Sequence, residues 1–388
     1  MIARIKELSN KYFPRVIELR RKIHANPELS WEEFETSKLV ADVLSKMPGM
    51  EVKTGIAKTG VIGILKGNNP GQRCIALRAD MDALPIQEQN NIEYCSTNAG
   101  KMHACGHDVH TANLLGVAMI LSELREEIEG TIKFIFQPSE EKIPSGAEAM
   151  IKAGVLENPK PEKIFGLHVS PELESGMFGF HEGRFMASSD EIYLTVIGKG
   201  GHAAQIQNVV SPLLVAAEIL LALKPLTEMK FPTILSFGKI EGLGATNVIP
   251  DKVEIAGTLR CFDEKLRAKR HGTIKDICES VAAQDGAHCE VNILKGYPVL
   301  INDNVVTQSA KHLAEEFVGG QKVTEMPMRM GSEDFAYYTQ HIPACFYRFG
   351  VANSQQGIVS GIHTPTFNID ESALEASIGL MALIALKG

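Results

Sequence analysis

The chain reads as an α/β protein: a mixed, largely parallel sheet domain with helices on both faces, interrupted by a smaller ferredoxin-like α+β domain. Three observations predict this. Short apolar runs alternate with helical periodicities through the first 185 residues, as in strands joined by crossover helices. The order then changes to β-α-β-β-α-β, the pattern of a ferredoxin-like unit. After Tyr297-Pro298 the earlier strand-and-helix style returns and runs to the end. The boundaries this implies are 1–185 with 299–388 for the larger domain, and 186–298 for the smaller.

Residues 16–23 carry apolar side chains at helical spacing, and Pro14 suits a kink or a restart. Ser30 can cap the next helix, with Glu33 three residues on completing a capping box. Strands are expected at 60–65 and 74–77, the second running into Arg78-Ala-Asp80-Met-Asp82. A helix over 111–125, a strand over 131–136, a helix near 146–153 and a strand over 163–167 follow. In the interrupting domain the strands are 191–197, 233–240, 252–260 and 289–294, and the helices 212–223 and 263–283. No repeat at solenoid periods and no low-complexity segment stands out.

At 388 residues the chain can bury a large core in two domains. Its 44% hydrophobic and 22% charged content is that of a soluble globular protein. A formal charge of -8 argues against nucleic acid, and the basic run 267–271 reads as a solvated helix face. No apolar run approaches the roughly 20 residues that span a bilayer. The amphipathic N-terminus does not read as a signal peptide. Seven scattered cysteines favour reduced thiols and a cytoplasmic location. Cys74, Cys261, Cys278, Cys289 and Cys345 lie in or beside apolar patterns and read as packed thiols.

The chemistry gathers around His103-Ala-Cys105-Gly106-His107-Asp108. A thiolate and an imidazole stand two residues apart, and Ala104 and Gly106 in the segment let the backbone bend so that both face one ion. Downstream, Glu140-Glu141 follows an apolar strand and Pro138, His168 follows another strand, and His363 lies in a Gly-Ile-His-Thr-Pro turn. Thiolate, imidazole and carboxylate suit a borderline-soft divalent ion such as zinc. Asp80, Asp82, Glu140, Glu141 and His168 all follow strand-like runs, where ligands of open sheets bind. Paired acids fit a division of labour in which one binds metal and the other takes a proton from water. His103, Asp108, His110 and His181 read as structural, and His24, His271, His288, His312 and His341 as surface or helix-end residues. The glycine-rich stretches at 198–202 and 242–246 make neither a dinucleotide fingerprint nor a phosphate loop.

Taken together, His103-Ala-Cys-Gly-His-Asp108, Arg78-Ala-Asp-Met-Asp-Ala-Leu-Pro85, Gln137-Pro-Ser-Glu-Glu141, Gly198-Lys-Gly-Gly-His202 and Gly331-Ser-Glu-Asp-Phe335 resemble the M20 metallopeptidase superfamily, in particular its amidohydrolase branch. The resemblance implies two divalent metal ions per subunit, zinc or manganese first and cobalt or nickel next. It implies Cys105 as the bridge, His107 and Glu141 on one ion, and His168 and His363 on the other. Glu140 is the implied general base and later acid, and Asp82 the aspartate that orients a ligand. Asp80 falls where the wider superfamily has a histidine. The smaller domain is the implied lid and dimerisation domain, giving a homodimer or homotetramer. His202 is implied to reach the partner's active site and stabilise the oxyanion, and Asn247 and Arg260 to contact substrate. For Arg260, a structural ion pair is an equal alternative. The sequence departs from the family after His202: it reads His202-Ala-Ala-Gln-Ile206 and lacks a proline and an aspartate common in relatives, which bears on substrate preference.

The expected activity is hydrolysis of the amide bond of N-acyl amino acids, N-acetyl or aromatic acyl. The rivals are a dipeptidase or carboxypeptidase with the same chemistry, and a metal-dependent binding protein without turnover.

Overall fold

The computed structural model describes residues 1–71, 73–227 and 233–388. The chain divides into two compact units, Met1–Phe185 with Ile301–Met328 and Asp334–Gly388, and Met186–Leu300 with Arg329–Glu333. The short stretch 329–333 thus belongs with the inserted unit, whereas the sequence pattern groups it with the rest of 299–388.

The first unit opens with helices α1 (Ile2–His24) and α2 (Phe34–Leu44), then strands β1 (Met50–Ile56), β2 (Gly60–Lys66) and β3 (Cys74–Asp80). Helix α3 (His107–Glu123), strand β4 (Thr131–Gln137), helix α4 (Gly146–Lys152) and strands β5 (Lys163–Glu174) and β6 (Phe178–Phe180) complete its first segment. The second unit holds β7 (Ser188–Ile197), α5 (Pro212–Thr227), β8 (Thr233–Glu241), β9 (Lys252–Cys261), α6 (Glu264–Gln284) and β10 (His288–Lys295). The first unit then resumes with α7 (Asn304–Val318), β11 (Val323–Glu325), β12 (Ala344–Ala352) and α8 (Ala373–Lys387).

The sheet of the first unit runs β1-β2-β4-β3-β5-β12-β6-β11. Its centre, β4-β3-β5-β12, is parallel. Antiparallel pairings at β1-β2, β2-β4 and β12-β6 make it mixed. The central strands are buried along nearly their whole length, as expected where helices cover a sheet, so they read as largely apolar runs. Helices α1, α3 and α8 pack together through Val16, Leu115 and Ile378. The approach is close at Gly116, where an added Cβ would lie 2.6 Å from Val16 Cγ2 and 2.9 Å from Ile378 Cγ2. Because α3 is enclosed, it is buried on every side and shows little amphipathic pattern.

The second unit is a four-stranded antiparallel sheet in the order β8-β9-β7-β10. Its core joins Ile192 and Leu194 of β7 to Val215 and Ile219 of α5 and Ile274 and Cys278 of α6. This is the ferredoxin-like topology expected from the element order.

Several local expectations fail for physical reasons. Helix α1 passes through Pro14 without a break. The Ser30–Glu33 capping box does not form: α2 starts after Glu33 with no side-chain cap, because both side chains bond elsewhere in the unit. Arg267 is not on a solvated face. It is 1% exposed and donates to both oxygens of Asp190, whose Oδ2 also meets His271 Nε2 at 2.6 Å. His24 is likewise fully buried, between Asp108 (2.8 Å) and Glu88 (3.1 Å). Among the described residues, no helix is long and apolar enough to cross a membrane.

Candidate metal centre

Gly106 makes the Cys105–His107 geometry. Its φ of 85° lies in the left-handed region, and a Cβ there would sit 2.7 Å from Val169 Cγ2. Helix α3 begins at the next residue, so His107 projects from its first turn while Cys105 stays in the loop before it. Two imidazoles converge on the thiol. His168 Nε2, from within β5, is 3.4 Å from Cys105 Sγ, and His363 Nε2 is 3.2 Å from it. His168 donates its other nitrogen to Val169 O (2.8 Å), which leaves Nε2 as the lone-pair side. His363 has φ 62°, and its backbone N–H donates to Ala104 O (2.7 Å), tying the late turn to the cysteine loop. Glu141 Oε1 stands 3.2 Å from His363 Nε2 and 4.0 Å from His107 Nε2.

These atoms form two overlapping donor sets, Cys105 with His107 and His168, and Cys105 with Glu141 and His363. Each set spans less than 4.8 Å between ligand atoms. Cys105 belongs to both, as a bridge requires. A third set joins His107, Glu140 and Glu141. His107 Nε2 and Glu141 Oε1 are buried with no hydrogen-bond partner among the described residues. Orphaned polar atoms of opposite kind facing one point fit a divalent cation well.

Carboxylates set the electrostatics. Asp82, 1% exposed, accepts from His107 Nδ1 (3.2 Å), Ser30 Oγ (2.6 Å), Glu140 N (2.9 Å) and Glu141 N (3.0 Å). Burial pushes Asp82 up, but the bond and charge of His107, with Ser30 and the Glu141 N–H, hold it below the ordinary range. Asp80 bonds Arg78 Nη1 and His110 Nδ1, each at 2.6 Å. Burial opposes its ionisation, yet His107, Arg78 and His110 keep it ionised. Burial lowers His107, but Asp80, Asp82 and Glu141 raise it to about 10. Burial, then Glu141, Glu140 and Asp80, push the Cys105 thiol well above its usual value. A dication would relieve both effects at once by replacing protons among negative groups.

Glu140 is 7% exposed, beside these donors, and the Asp334 N–H donates to its Oε1 at 3.4 Å. The Asp334 carboxylate accepts from Arg78 Nη2 (2.6 Å), Gln137 Nε2 (2.8 Å), Ser145 Oγ (2.7 Å) and Ala147 N (3.0 Å), pinning both ends of the loop that carries the acids.

Comparison with known proteins follows the same line. Residues 76–387 match the profile of Peptidase family M20/M25/M40. This chain belongs to that family. It is 38% identical to thermostable carboxypeptidase 2 of Saccharolobus solfataricus, over 96% of this chain and 95% of that protein. It is 39% identical to IAA-amino acid hydrolase ILR1-like 4 of Arabidopsis thaliana, over 97% of this chain and 86% of that one. N-acetylcysteine deacetylase of Bacillus subtilis is 36% identical, over 97% of each chain. Among solved structures, the Bacillus subtilis YXEP protein, described as a dinuclear metal binding peptidase from the M20 family, superposes with a TM-score of 0.84 at 35% identity, covering 97% of this chain and 98% of that one.

Within this M20 chain the first unit brings Asp82, Cys105, His107, Glu140, Glu141, His168 and His363 together. His202, Asn247 and Arg260 lie in the second unit. His202 is exposed, its Nδ1 accepts from Ala204 N (3.1 Å), and it pairs with Val248. Asn247 adjoins it through the Ala203 N–H to its carbonyl (3.1 Å). Arg260 is half-buried and donates to Met330 O (3.0 Å), a structural contact within its own unit. Sequence reasoning missed Arg78, His110, Asp334 and Glu33 as partners of the site. Arg78 and Asp334 lie inside motifs already quoted and Glu33 in the capping-box pattern, whereas His110 falls two residues past the cysteine motif.

Proposed function

We propose that this M20 protein hydrolyses the amide bond of N-acyl amino acids, with Glu140 as general base and then acid. The observation that carries the reading is the thiol of Cys105 shared by two donor sets, with the Glu140 carboxylate next to both. In this reading Cys105 would serve both ions, with His107 and Glu141 holding one and His168 and His363 the other. Zinc or manganese fits this mixture of sulfur, nitrogen and oxygen best. Bound there, a pair of divalent ions supplies Lewis acidity that lowers the pKa of water and polarises the scissile carbonyl.

Asp82 orients His107 through Nδ1 and aims Nε2 at the centre. Glu140 accepts the proton of the attacking water and returns it to the departing amine nitrogen. His202 of a second copy donates to the developing oxyanion, the kind of contact worth about 10²–10³ in rate. Asn247 and Arg260 contact the substrate from the second unit, which acts as lid and as the contact between subunits of a cytoplasmic homodimer or homotetramer. The relatives named as an IAA-amino acid hydrolase and an N-acetylcysteine deacetylase support this substrate class. The carboxypeptidase relative favours one alternative, cleavage of a C-terminal residue from unblocked peptides.

A panel of N-acetyl, N-benzoyl and N-succinyl amino acids, assayed beside free dipeptides after loading with zinc or manganese, separates the two. Exhaustive chelation is expected to abolish turnover. Glu140→Gln is expected to cut kcat by about 10²–10⁴ with both metals retained. Full turnover by that variant would remove Glu140 from its role.

A further inference from the structure

The turn carrying Glu140 and Glu141 has no regular structure of its own, and its first residue is strained. Ser139 is fully buried at φ 47°, a left-handed conformation that a side chain with a Cβ disfavours. Three consecutive backbone N–H groups in this turn point at carboxylates. Ser139 N donates to Glu33 Oε1 (2.9 Å), and Glu140 N and Glu141 N donate to the two oxygens of Asp82 (2.9 and 3.0 Å).

Glu33 is itself fully buried and otherwise without a function. Its Oε1 also accepts from Trp31 N (2.9 Å), and its Oε2 from Thr59 Oγ1 (2.6 Å). Trp31 is left-handed too, at φ 69°. One carboxylate therefore ties together two left-handed residues from separate segments. The same segment reaches the second carboxylate, because Ser30 Oγ donates to Asp82 Oδ2 (2.6 Å). The Ser30–Glu33 stretch, which does not cap its helix, instead supplies one of the two acids that hold the 139–141 backbone and bonds to the other.

We propose that Glu33 is a positioning residue for hydrolysis: by fixing Ser139 it sets the direction from which the Glu140 carboxylate meets the water. It acts one peptide unit upstream, where a small change of φ or ψ swings the whole Glu140 side chain. It touches none of the metal-donor side chains. The inference rests on Glu140 being the base.

The test compares full-length, metal-reconstituted Glu33→Ala, Glu33→Gln and Glu33→Asp with wild type and Glu140→Gln. For each, kcat and KM on an N-acetyl amino acid and metal content per chain are measured. Glu33→Ala is expected to lower kcat about 10–100-fold, the scale of an ångström-level misplacement of a reacting group, with KM and two-metal content little changed. Glu33→Gln keeps an oxygen for the Ser139 and Trp31 N–H groups and is expected to recover kcat to within about threefold of wild type. Glu33→Asp withdraws the acceptor by one methylene and is expected to resemble alanine. If the alanine variant does not fold, the contrast between Gln and Asp decides alone. Equal kcat for those two, wild-type kcat in Glu33→Ala, or a loss of activity that tracks a loss of metal overturns the proposal. An active Glu140→Gln sinks the base assignment instead, so the two failures are distinct.

Discussion

Removing the Asp82 carboxylate is the sharpest test of how the centre is built. In Asp82→Ala, four donors lose their acceptor: His107 Nδ1, Ser30 Oγ, Glu140 N and Glu141 N. A hydrogen bond to a charged group contributes about 1.5–3 kcal/mol, and part of this returns when water enters the space left behind. A net destabilisation of about 3–5 kcal/mol follows for the metal-free protein. Metal affinity should fall about 10–100-fold, since His107 loses the partner that fixes its ring. The sign with pH is determined. Asp82 is held below its ordinary value when folded, so its contribution is present above the unfolded pKa and lost as pH falls through the folded one. The gap between wild type and variant should therefore be full near neutrality and shrink in acid. Urea unfolding of the metal-free proteins at several pH values, with metal titration alongside, measures both effects. A variant within about 1 kcal/mol of wild type, with unchanged metal affinity, would refute the reasoning.

Three further outcomes are expected. Metal affinity should rise with pH between about 6 and 8, with a slope approaching two protons for the ion held by Cys105 and His107, because the raised thiol and an imidazole near 10 must both lose protons; a flat profile in competition titrations argues against it. Gly106→Ala should cost at least about 2 kcal/mol, from the left-handed backbone and the collision with Val169, and should lower metal content; melting curves and elemental analysis check this. Arg267→Ala leaves the Asp190 carboxylate buried without its main partner and should cost about 3–5 kcal/mol in chemical denaturation, whereas a surface arginine would cost almost nothing.

Much of the architecture could be read in advance because β3, β4 and the first half of β5 are short, largely apolar runs separated by helix-length segments. The candidate ligands were legible because thiol, imidazole and acids recur at strand ends. What escaped was every side chain whose partner is distant in sequence. His24 and Arg267 look like solvated helix residues until Asp108 and Asp190 are brought against them. Ser30 and Glu33 spell a capping box, yet their bonds to Asp82 and Ser139 outcompete the cap. The start of α3 was set four residues late because Gly106 begins it through backbone conformation, with no capping side chain to read.

The pairing of β5 with β12 has a consequence for how the molecule is made. Ile164 lies beside Ala344, about 180 residues later in the chain. At ribosomal speeds of roughly 5–20 residues per second, that neighbour emerges some 10–35 s after β5 has left the exit tunnel. Throughout that interval a nascent sheet displays an apolar edge with its backbone groups unmated, the kind of surface that captures other chains. Products that stop short of Ala344 should therefore accumulate as aggregates, and slowing initiation or supplying a holdase during synthesis should favour recovery of full-length protein.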